Sequence, residues 1–86
     1  MASAVGDLSA SVERYEAALA AFDELGLPVD LSQARISYGR ALREFGELGL
    51  ARTQFELARN ECERMGAQGL LTSIEKDLAL IGEPTP

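Results

Sequence analysis

The residues able to do chemistry are few in kind. The chain has no histidine and one cysteine, Cys62. Without histidine, no serine or cysteine has the usual proton acceptor beside it, and no other local base stands in. A lone cysteine excludes an internal disulfide, and the missing histidine leaves no Cys/His metal site. Carboxylates are plentiful, as in Glu13/Glu16, Asp23/Glu24 and Glu61/Glu63, but they spread over polar helix faces and read as solvated surface. Cys62 falls on an apolar face and reads as a packed thiol. No GxGxxG or GxxxxGK[ST] pattern occurs. The expectation is a non-catalytic protein with no catalytic residue, no metal ligand and no cofactor.

Composition narrows the partners. Over 86 residues the net charge is −6, which disfavours phosphate backbones, so direct nucleic-acid binding is not expected. Seven of the eight basic residues are arginine, suited to fixed hydrogen-bonding geometry. The start "MASAVGDLSA" lacks a basic region and a long apolar core, and no apolar run approaches a membrane span. A cytoplasmic protein without membrane contact is the expectation.

The elements that position these residues are helices. Gly26, Gly46, Gly66 and Gly82 each follow a run of helical periodicity, as left-handed caps do. The first run places Leu8, Val12, Tyr15, Leu19, Phe22 and Leu25 near one face, with Asp7 or Ser9 as its cap. The second follows Pro28 with Ala34, Tyr38, Leu42 and Phe45, and Asp30 with Gln33 resembles a capping box. The third carries Leu48, Ala51, Phe55, Ala58, Cys62 and Met65. The fourth carries Leu70, Leu71, Ile74, Leu78 and Ile81, starting near Gln68 or at Thr72. No stretch alternates with period two. The prediction is an all-α domain over 7–82, four helices in two antiparallel hairpins, with tails at 1–6 and 83–86.

The chain also repeats itself. A shift of 40 residues lays Tyr15 on Phe55, Ala18 on Ala58, Phe22 on Cys62, Leu25 on Met65 and Gly26 on Gly66. Beyond the turns, Leu31 falls on Leu71, Ala34 on Ile74 and Tyr38 on Leu78. The first and third helices therefore read as one element, and the second and fourth as another.

Tyr38, Gly39, Leu42, Gly46, Ala51, Phe55 and Ala58 keep the intervals of one known pattern. In that register the span resembles a tetratricopeptide repeat, a helix–turn–helix unit of about 34 residues. Gly39 and Ala51 would remove bulk where two helices cross, while Tyr38, Leu42 and Phe55 fill the remaining space. The pattern departs from the family at Arg35, where an aromatic is usual, and at Glu63, where proline ends the second helix. The strings "LGLP", "YGRALR" and "CERMGA" are similar to those in repeat regions of large actinobacterial LuxR-type ATPase transcription regulators.

That resemblance implies right-handed superhelical packing and a peptide groove lined by the first helix of each pair. Gln33, Ser37, Arg40 and Arg43 would face it, the arginines holding a partner's carboxylate. The alternative is that Arg40 and Arg43 are only the solvated stripe of an amphipathic helix. The implied function is a protein-interaction module, part of a regulator, that takes a protein or peptide partner. A homodimerising structural module and a small-molecule sensor stand as alternatives. Self-association is expected because a short repeat array leaves its ends open.

Overall fold

The computed structural model describes residues 4–82, and among these it is all-α. Four helices follow one another: α1 (Ala4–Leu25), α2 (Pro28–Glu44), α3 (Leu48–Met65) and α4 (Gln68–Ile81). The anticipated tails at 1–3 and 83–86 lie outside the described residues, whereas residues 4–6 belong to α1.

One device makes all three turns. At the end of α2, Gly46 takes φ 85° and its N–H donates to the Arg43 carbonyl at 3.0 Å. The Glu47 N–H reaches back to the Leu42 carbonyl at 2.9 Å, completing a Schellman closure. The Glu47 carbonyl then accepts from Ala51 at 2.9 Å, so the residue that closes one helix opens the next. The same pairings recur around Leu27 and Ala67, spaced 20 residues to either side of Glu47.

One expected cap is corrected by this device. Leu27 is the N-cap of α2 with Pro28 just inside, and no side chain caps the helix. Asp30 therefore sits within the first turn and forms no capping box with Gln33. Of the two starts open for α4, the helix takes Gln68, and the Thr72 hydroxyl donates to the Gln68 carbonyl at 3.1 Å within the helix. Helix α1 starts ahead of both Asp7 and Ser9.

The packing is centred on α2, which contacts α1, α3 and α4, while α1 contacts only α2 among the described elements. The result is a slab of 42 × 38 × 19 Å. Its core holds Leu42, Ala51, Phe55, Ala58, Cys62 and Ile74, all at the periodic positions. The small residues set the spacing: a Cβ on Gly39 would lie 2.7 Å from the Phe55 ring. Two residues of the predicted apolar faces are exposed. Leu25 is 70% and Leu48 44% exposed, and each stands at a helix end beside a turn.

Candidate functional site

The two arginines at the centre of the expected groove are already engaged. Arg40 donates from Nε at 3.0 Å and from Nη2 at 2.8 Å to Asp77 Oδ2, and Nη2 also reaches Ser73 Oγ at 2.9 Å. Arg43 Nη1 approaches Asp77 Oδ1 at 3.2 Å. The Asp77 side chain is only 6% exposed. A carboxylate of the kind expected from a partner is thus supplied by α4 of the chain itself, while the Arg40 side chain stays 46% exposed. The Asp77 carboxylate holds the Arg40 guanidinium above its already high value, against the opposing effect of burial. Gln33 and Ser37 remain exposed on the outer stripe of α2.

A second polar cluster joins α2 to α3. Glu61 Oε2 accepts from Arg35 Nε at 2.8 Å, and its Oε1 accepts from Ser32 Oγ at 3.0 Å. Arg35 Nη1 also reaches Gln54 Oε1 at 3.1 Å. Ser32 is fully buried, so its hydroxyl must find such a partner. Glu61, read from sequence as solvated, is instead a largely buried acceptor. Arg35, standing where the repeat pattern has an aromatic, fills that space with a planar, bonded guanidinium. Beside this cluster, burial pushes the Cys62 thiol up; the Ser32 contact offsets this in part, and the Glu61 charge adds to it.

A concavity lies elsewhere. Because α1 does not reach α3, a cleft of about 600 Å³ opens between them over the first half of α2. Leu19, Phe22, Leu31 and Met65 form its apolar lining, with Asp23 and Arg64 among its charged residues. Deeper along α2, the Tyr38 hydroxyl donates to Glu16 Oε2 at 3.0 Å, and its ring stacks on Tyr15 at 5.1 Å. Burial first, and then the bond to Glu16, push the Tyr38 phenol up to about 12. Arg35, Glu61, Arg40, Arg43 and Asp77 are taken up by internal pairs, and no three metal-capable side chains gather among the described residues.

No family model matches the chain, and neither does any curated protein or solved structure. None of the described helices is long and apolar enough to cross a membrane.

Sequence reasoning missed Asp77, Glu61 and the cleft. Asp77 carried one signal, since it lies between Ile74 and Leu78 on the buried side of α4 at a spacing of three and one. A carboxylate among apolar positions calls for a cation, and Arg40 and Arg43 of α2 are candidates in the same sequence.

Proposed function

We propose that this chain is a non-catalytic protein-interaction module with tetratricopeptide-like packing, which holds a peptide segment in the cleft between α1 and α3. The observation that carries the reading is that cleft, an open trough in which apolar residues alternate with charged ones such as Asp23 and Arg64. A trough of this kind suits a segment with apolar anchors and mixed charge.

Antiparallel hairpins belong to the same proposal. Support comes from the order of contacts: Ser32 meets Glu61, and farther along α2 Gly39 meets Phe55, nearer the start of α3. The fit of Phe55 over Gly39 supports the repeat-like crossing. The likeness to regulator repeats makes transcription regulation in a bacterial cytoplasm the setting we favour.

Peptides selected from a displayed random library test the reading. Ala20 is exposed and lines the cleft, so Ala20→Arg should weaken the selected peptides about tenfold or more. Binding that ignores Ala20→Arg but is lost in Ser37→Arg would return the site to the outer stripe of α2 and overturn the cleft.

A further inference from the structure

The repeat of 40 residues has a consequence at the ends of the slab. Inside the chain, α2 and α3 cover each other through Ser32, Arg35 and Gly39 on one side and Gln54 and Phe55 on the other. Shifting α2 by 40 residues gives Thr72, Glu75 and Ala79 on α4, and all three are exposed. Shifting Ala51, Gln54, Phe55 and Ala58 of α3 back by 40 gives Ser11, Arg14, Tyr15 and Ala18 on α1. Those four residues line an open hollow of about 300 Å³. Each end thus presents one half of an interface that is complete in the middle.

We propose that the chain stacks head to tail on copies of itself, α4 of one copy seated in the Ser11–Ala18 hollow on α1 of the next. The charges fit this register. Where Arg35 donates to Gln54 within the chain, Glu75 of one copy meets Arg14 of the next. Ala79 replaces Gly39 and packs on Tyr15 in place of Phe55, its added methyl setting the helices slightly farther apart. The stack on Tyr38 already holds the Tyr15 ring in place. Ser73 and Asp77 have Gln33 and Ser37 as their counterparts, and Arg40 has Leu80. The contact of Arg40 with Ser73 and Asp77 therefore translates into Leu80 of one copy lying against Gln33 and Ser37 of the next. This covers a leucine that is 70% exposed. The contact is heterologous, so assembly continues beyond a dimer.

The proposal rests on the repeat-like packing and not on the peptide cleft, whose residues it leaves uncovered. The test is light scattering or sedimentation of the full chain over a wide concentration range. The mass of the wild type should rise past that of a dimer. Ala18→Arg and Ala79→Arg should each be monomeric alone, and their equimolar mixture should form a dimer that grows no further. Arg14→Glu should weaken assembly about fivefold or more, and adding Glu75→Arg should restore it. Helical circular dichroism confirms that each variant folds. A wild type that stays monomeric, a lone Ala18→Arg or Ala79→Arg variant that still associates, or no recovery in the charge swap overturns the proposal. Peptide capture by the Ala79→Arg variant separates its failure from that of the cleft.

Discussion

Asp77 receives Arg40 and Arg43 on its two carboxylate oxygens, so one buried acid on α4 ties down both arginines of α2. The three charges form a unit in which the acid is the most buried member. Removing both arginines strands a buried charge, whereas neutralising the acid frees two side chains that already reach solvent. The double variant Arg40→Ala/Arg43→Ala should therefore lose about 3–5 kcal/mol. Asp77→Asn should lose about 1–3 kcal/mol. Urea denaturation checks the order, and a smaller loss in the double variant would contradict it.

Gly39 and Gly49 should respond in opposite directions to alanine. A Cβ at Gly39 would come within 2.8 Å of two Phe55 ring atoms, both in a fully buried side chain. Overpacking there should cost about 1–3 kcal/mol despite the gain in helix propensity. Gly49 lies in α3 with no atom within 4 Å of an added Cβ, so Gly49→Ala should stabilise by about 0.4–1 kcal/mol. Melting temperatures of the two variants decide it; a stabilised Gly39→Ala would refute the close crossing.

Tyr38 makes stability depend on alkaline pH. Its phenol sits near 10.0 ordinarily and is raised to about 12 in the fold. The unfolded chain thus releases its proton first. The contribution of Tyr38 is complete below about pH 10 and is lost as pH rises through 12. Denaturation curves between these pH values should show a steeper decline for the wild type than for Tyr38→Phe. Equal slopes would rule out the buried phenol as the cause.

Cys62 should be inert in the folded chain. It is fully buried and its thiol is held above the ordinary range, so little thiolate is present and none is accessible. Alkylation by iodoacetamide should be slower on the order of 100-fold or more than in denaturant, tracking the opening of the fold. Labelling at the denatured rate under native conditions would contradict the packing of α3.

Much of this was legible before any coordinates. Periodic apolar residues and the recurring glycines announce four helices, because helix formation and its left-handed termination are local events. The register from Tyr38 to Ala58 likewise marks the close crossing of α2 and α3, since only small residues permit it.

Where side chains ended up was a different matter. Arg40 and Arg43 carry the same local signature whether they serve a partner or the chain itself. Their fate depended on Asp77, which lies far along the chain and meets them only when α4 folds onto α2. Glu61 was drawn from the surface to Ser32 and Arg35 in the same way, and the cleft exists because α1 stops short of α3. The helices and their turns could be read from sequence because they rest on neighbours within a few residues, and the small residue Gly39 marked where α2 passes close to Phe55. Which charges are satisfied and which faces stay open depends on how the helices pack, because burial and pairing belong to surfaces brought together across the whole chain.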